Sequence, residues 1–188
     1  MLKPTAFIIH GTEGYPEENW FPWLKNKLEQ NGYQVIVPHF PSPPIIPAKL
    51  DEWLTVWGKN AHLIDRETMI IGHSLGGLFA LHILENLKNP IRAAAFVGTP
   101  IGLRPILNYD RDAAFCGFDF DWKKISHHSR RKIIFHSDND PYVSLGNGKL
   151  LAEKLDTSLS FVSNAGHFNS AAGYDSFPQL WTELQKTL

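Results

Sequence analysis

Apolar positions along the 188-residue chain fall into two kinds of run. Short runs of strand length, continuous or alternating, occur at Thr5 to Ile9, Gln34 to Val37, Thr68 to Ile71, Ala93 to Val97, Lys132 to Phe135 and Leu159 to Val162. Longer segments with helical spacing lie between them: Trp20 to Gln30, Pro47 to Leu63, Leu75 to Leu87, Leu145 to Leu155 and Phe177 to Leu188. Strands that alternate with helices read as successive crossover units, and strands apolar on both faces read as covered on both. The pattern predicts one three-layer α/β/α domain over residues 1–188, with about six mostly parallel strands flanked by helices.

One segment departs from this rhythm. Residues 101–130 show no clear period, several aromatics and mixed charge, and they leave one strand only to enter the next. A connection of roughly 30 residues in a compact domain is either a lid or pocket-lining insert, or a peripheral helix with turns. The Pro-rich stretch HFPSPPIIP, residues 39 to 47, reads as an extended connection after a strand.

Composition narrows the class. Forty-three per cent apolar residues and a net charge of -1 are those of an ordinary globular domain, without the basic footprint that nucleic acid demands. The single cysteine, Cys116, cannot close an intramolecular disulfide, and the N-terminal apolar run is too short for a secretory signal. No segment approaches the roughly 20 apolar residues that span a bilayer, so the expected location is cytoplasmic. Neither H-E-x-x-H nor a Cys/His cluster is present, and no metal or cofactor is expected.

The chemistry concentrates at TMIIGHSLGGLFALHIL, where a strand pattern passes into a helical one. Gly72-His73-Ser74-Leu75-Gly76 is G-x-S-x-G, the nucleophile elbow. A serine forced into a sharp strand-to-helix turn needs small neighbours two positions away, and its oxygen then emerges beside the free N–H groups of the helix N-terminus. A glycine-rich turn packed tightly on the sheet would give the same pentapeptide, so the partners decide.

A serine hydroxyl needs a base, and the base needs a carboxylate to orient it; for this elbow the chain order is Ser, then Asp or Glu, then His. HSDNDPYV, residues 136 to 143, follows the fifth predicted strand, and NAGHFN, residues 164 to 169, follows the sixth. Both end on the same rim as Ser74. His167 is the candidate base, and Asp138 and Asp140 compete for the orienting role. Asp140 precedes Pro141, which biases it to an extended turn conformation, whereas Asp138 reads equally well as a turn-stabilising carboxylate. Oxyanion donors are expected from the Leu75 amide and, in IIHGTEG at residues 8 to 14, from the Thr12 amide. His73 and His82 read as structural.

HGTEG, GHSLGG, SDNDPYV and NAGHF, in this order over nearly the whole chain, resemble the α/β-hydrolase superfamily, and within it the small serine hydrolases of the retinoblastoma-binding-protein 9 and YdeN type. The resemblance implies a reduced hydrolase core, Ser74 as nucleophile, His167 as base and, through the D-P-x-V turn, Asp140 as orienting acid. It implies carboxylesterase-like or peptidase-like hydrolysis without fixing the substrate. An L-x-C-x-E motif is absent, because Cys116 lies in AFCGF, so a retinoblastoma-protein partner is not carried over.

The expected partner is a small ester, thioester or amide, with no nucleic acid and no membrane. Tyr15, Trp20, Phe21, Phe118 and Trp122 are candidates for an aromatic substrate pocket, which would favour a modest hydrophobic group; such residues are at least as often core. The rival of a different class is a non-catalytic or weakly catalytic binding protein on a hydrolase fold.

Overall fold

The computed structural model describes residues 3–44, 46–107, 109–117 and 119–188. Six strands, β1 (Thr5–Ile9), β2 (Gln34–Ile36), β3 (Met69–His73), β4 (Ile91–Val97), β5 (Ser129–Ser137) and β6 (Leu159–Val162), form one sheet in the order β2-β1-β3-β4-β5-β6. Every neighbouring pair is parallel. The helices are α1 (Phe21–Gln30), α2 (Leu50–Gly58), α3 (Leu75–Glu85), α4 (Tyr109–Asp112), α5 (Trp122–His127), α6 (Leu145–Lys154) and α7 (Pro178–Gln185).

Period-two alternation in the strands sorts the core into two layers. Ala6, Ile8, Met69, Ile71, Ala93, Ala95 and Val97 face α1 and α7, meeting Leu24, Leu28, Leu180 and Leu184. Phe7, Ile9, Ile70, Ala94 and Phe96 face the other way, onto Trp53, Phe79, Ile125 and Leu151 of α2, α3, α5 and α6. The central strands are buried along their length, which is why they read as continuous apolar runs. α3 is apolar on every side but for His82, whose ring bonds the Phe115 carbonyl, and it is buried from Leu75 to Leu84 under α2 and the insert that carries α5.

Several elements differ from the periodicity, most of them by one to three residues. β5 begins at Ser129 rather than Lys132 because its polar start is held by pairing of Ser129 with Ile91 and Arg131 with Ala93. The predicted helix at Pro47 to Leu63 is α2, from Leu50, followed by a separate 3-10 turn at Ala61–Leu63; Gly58 and Asn60 end the longer pattern. Residues 101–130 carry α4 and α5, and Phe115, Cys116, Phe120 and Ile125 bury their side chains in the core under them. Among the described residues no helix is long and apolar enough to cross a membrane.

The chain crosses from β1 to β2 on one side and returns to β3 on the other, so strand order reverses at β1. Ligand crevices in open parallel sheets form at the carboxyl ends beside such a switch point. The residues that follow β1 and β3 are Gly11-Thr12 and Ser74.

Candidate active site

Ser74 links β3 to α3 with φ 53° and ψ -124°, outside the ordinary regions for a residue with a side chain. Close packing around it enforces the turn. A Cβ on Gly72 would lie 2.5 Å from the Gly76 carbonyl oxygen and the Gly77 Cα, and one on Gly11 would lie 2.8 Å from the Ser74 Cβ. The glycines therefore let the elbow fold on itself and let the β1–α1 loop approach the serine. The Ser74 N–H donates to the Val97 carbonyl at 2.8 Å, which ties the elbow to β4.

His167 and Asp140 arrive from the ends of β6 and β5. The His167 Nδ1–H donates to Asp140 Oδ2 at 2.6 Å, with the two side chains 8% and 1% exposed. Asp140 Oδ1 accepts from the Tyr142 and Val143 amides at 2.9 and 3.0 Å, the hydrogen bonds of an aspartate placed before a D-P turn. Burial alone would raise the Asp140 carboxyl; the bond and charge of His167, with the two amides, hold it below the usual carboxylate range. Gly98, at φ 56° past β4, leaves the space this pair occupies: a Cβ there would lie 3.1 Å from the His167 ring.

Asp138 serves another contact. Its carboxylate accepts from the Asn164 amide at 2.8 Å and from Ser163 Oγ at 3.1 Å, and the amide bond chiefly lowers its pKa. Ser137 Oγ accepts from the Ala165 amide and Asn139 Oδ1 from the Gly166 amide. Three consecutive side chains at the end of β5 thus hold three consecutive amides of the loop that carries His167. From below, His73 Nε2–H donates to the His167 carbonyl at 2.7 Å, and Trp20 Nε1–H donates to the Phe168 carbonyl at 2.9 Å. Burial, then the neighbouring His167, lowers the His73 pKa to about 3, so His73 is neutral and acts as a fixed donor.

Ser74 and His167 line one cleft of about 180 Å³, together with Gly11, Thr12, Glu13, Glu18, Asn19, His73, Tyr142 and Asn169. Its walls are mainly polar, which differs from the aromatic pocket expected from sequence. Trp20 and Phe21 are fully buried between α1 and the sheet, because the helix turns its apolar face inward from its first residue. Tyr15 lies beside the cleft, on a shallow depression shared with Glu18, Asn19 and Asn169. Trp122 begins α5 and packs on Phe120, and Phe118 is outside the described residues. The aromatic side chain on the cleft is Tyr142, whose ring meets His167 edge-on with centroids 4.9 Å apart. Beyond Tyr142 opens a wider groove of about 890 Å³ with Pro105, Ile106, Leu107, Tyr109 and Leu145 on its walls.

Two cleft carboxyls were not foreseen. Burial raises Glu18 to about 7, opposed by a hydrogen bond from the Tyr15 backbone. Glu13 pairs with Arg111 at 2.6 Å. The sequence signal for both was their place in TEGYPEEN, Glu13 within the glycine turn and Glu18 four residues after it.

An all-parallel sheet with the serine elbow, the acid and the histidine at three strand ends is the architecture of an α/β hydrolase. The model of the serine hydrolase family matches residues 6–186, and the chain belongs to that family. It is 28% identical to YdeN of Bacillus subtilis (strain 168) over 183 residues, covering 97% of this chain and 95% of the relative. It is 29% identical to the serine hydrolase RBBP9 of Rattus norvegicus over 174 residues, covering 90% of each. The crystal structure of the B. subtilis ydeN gene product superposes with a TM-score of 0.90 at 27% identity, over 98% of both chains.

Proposed function

We propose that this hydrolase cleaves a small carboxylic ester, thioester or amide through a Ser74 acyl-enzyme, with carboxylesterase-like turnover the first activity to seek. The observation that carries the reading is the Asp140–His167 contact of 2.6 Å, buried beside a serine held at φ 53°. Asp140 occupies Nδ1, so Nε2 of His167 is the nitrogen left to exchange a proton with Ser74. His167 takes the hydroxyl proton as Ser74 attacks the acyl carbon, returns it to the leaving group, and then activates the water that releases the acid.

Two amides suit the oxyanion. The Leu75 N–H is the first of α3 and has no acceptor within the helix. In the β1–α1 loop, the Glu13 N–H donates to Ser42 Oγ and the Gly14 N–H to the Gly11 carbonyl, while Thr12 lines the cleft with Ser74, and its amide is the donor that suits the second position. The reaction calls for no metal or cofactor. A cleft of about 180 Å³ suits a short acyl group, with the rest of the substrate leaving over Tyr142.

The test is labelling by a fluorophosphonate probe together with hydrolysis of p-nitrophenyl esters of increasing chain length. Wild type is expected to label and to prefer the shortest acyl chains. Ser74→Ala abolishes both signals, His167→Ala and Asp140→Asn lower turnover by about 10³-fold or more, and Asp138→Asn, which keeps an oxygen for the Asn164 amide, leaves turnover within a few-fold of wild type. Folded wild type that neither labels nor turns over any ester, thioester or amide would move the chain to the binding-protein reading.

A further inference from the structure

The insert between β4 and β5 reaches back to the loop that faces Ser74. Thr12 Oγ1 donates to Asp112 Oδ1 and Oδ2 at 2.8 and 3.0 Å, across 100 residues of sequence. Asp112 ends α4 and is 3% exposed. Its neighbour Arg111 holds Glu13 Oε1 at 2.6 Å through Nη1 and the Pro43 carbonyl at 3.4 Å through Nη2. Two consecutive insert residues therefore clasp two consecutive residues of the loop.

The loop needs such a restraint. Residues 11–14 form a turn closed by the Gly14 N–H to the Gly11 carbonyl at 3.1 Å, and its third residue, Glu13, has φ 58°. A left-handed turn residue with a side chain relaxes unless its surroundings hold it. A buried carboxylate is in turn costly unless hydrogen-bonded, and burial pushes Asp112 up to about 6, so the fold tolerates a group that a plain core would replace with an apolar one.

We infer that Asp112 is a positioning residue: by pinning the Thr12 hydroxyl, it aims the Thr12 amide at the site where charge develops on the substrate carbonyl. The lever is Thr12 itself. A β-branched side chain has few χ1 choices, so fixing its oxygen restricts the backbone that carries the N–H. The inference rests on the hydrolase reading above.

Thr12→Val, which keeps the branch and removes the donor, and Asp112→Ala are compared with wild type, with their double variant and with Asp112→Asn. Asparagine keeps an oxygen that accepts the Thr12 hydroxyl. Full loss of an oxyanion donor costs about 100- to 1000-fold, and a donor that is present but loosely aimed costs less. Both single variants are expected to lower kcat on p-nitrophenyl acetate by about 10- to 100-fold with KM within about three-fold. The double variant falls no further, and Asp112→Asn recovers most of the loss. Folded single variants with wild-type kcat, an additive double variant, or an Asn variant as impaired as Ala would overturn the assignment.

Thr12 amide resonances, read by 15N NMR in the same proteins, separate this from failure of the hydrolase reading. If wild type is inactive, the hydrolase reading fails and the clasp is still judged by whether Asp112→Ala shifts the Thr12 and Glu13 amides. Unshifted amides would refute the clasp as well.

Discussion

Alanine in place of glycine in a helix ordinarily stabilises, and Gly76 tests whether the elbow reverses that rule. Gly76 is the second residue of α3, where Ala is favoured over Gly by about 0.5–1 kcal/mol. A Cβ there would lie 2.7 Å from the Ile9 carbonyl carbon and closer still to the Ile9 and His10 carbonyl oxygens. These atoms belong to β1 and its exit, and β1 is bonded to strands on both sides, so they cannot retreat as a flexible side chain end can. Overpacking against backbone costs about 1–3 kcal/mol, and here the upper part of that range applies, leaving Gly76→Ala about 1–2 kcal/mol less stable. At about 2–4 °C per kcal/mol for this chain length, the melting temperature falls by about 2–8 °C. Gly58 is the internal control: it is exposed at the end of α2 with no atom within 4 Å of an added Cβ, so Gly58→Ala raises the midpoint or leaves it unchanged. Urea and thermal melts followed by circular dichroism read both. A Gly76→Ala protein as stable as wild type, or two variants moving the same way, would refute the argument that contact with β1 fixes the glycine.

Two further outcomes follow from buried titratable groups. Glu18 has its folded-state pKa raised from 4.5 to about 7 by burial, so the folded protein holds a proton that the unfolded chain releases across that window. Its contribution to stability therefore falls as pH rises from 4.5 to 7, and Glu18→Gln, which cannot titrate, gains on wild type over the same range in urea melts. A pH-independent difference would sink this. Cys116 is 7% exposed, and burial, with the Asp112 charge adding, raises its thiol to about 11 from 9. At pH 8 the thiolate fraction is then about 100-fold smaller than for a free thiol, so Ellman's reagent is expected to react with native protein at least that much more slowly than with denatured protein.

The sheet was legible because its strands are buried on both faces, and burial on both faces writes itself into the sequence as uninterrupted apolar runs. What periodicity missed was held by partners distant in sequence: the polar start of β5 exists because Ile91 and Ala93 of β4 pair with it. The site divides the same way. Ser74 was legible because close packing dictates its glycines, and His167 because chain order dictates its place. Asp138 and Asp140, two residues apart, could not be separated by residue type, since both carboxylates accept backbone amides in strand-end turns. Only the fold shows that one reaches His167 and the other Asn164. The cleft walls were the least legible part. Trp20 and Phe21 follow the glycine turn after β1 within a few residues of Glu18, and the direction of α1 alone sends the aromatics inward while Glu18 lines the cleft.

Backbone strain shows what the rim loops have in common. Of the six non-glycine residues with positive φ among the described residues, Glu13, Asn19 and Ser74 line the cleft, Asn164 and Phe168 flank His167 in the loop that carries it, and Asp156 lies elsewhere. Each of the five, or the residue's own side chain, is tied to a remote segment: Glu13 to Ser42 and Arg111, Asn19 to the Ser170 amide, Ser74 to Val97, Asn164 to Asp138, and Phe168 to Trp20. A strained conformation costs about 1–3 kcal/mol and persists only where surroundings over-determine it. Removing one anchor lets its loop relax, and relaxation recovers part of the strain energy while it disorders the cleft. Loss of an anchor is therefore expected to cost less in global stability than in the alignment of the β1–α1 loop and His167, which places the main effect of these remote residues on the proposed turnover.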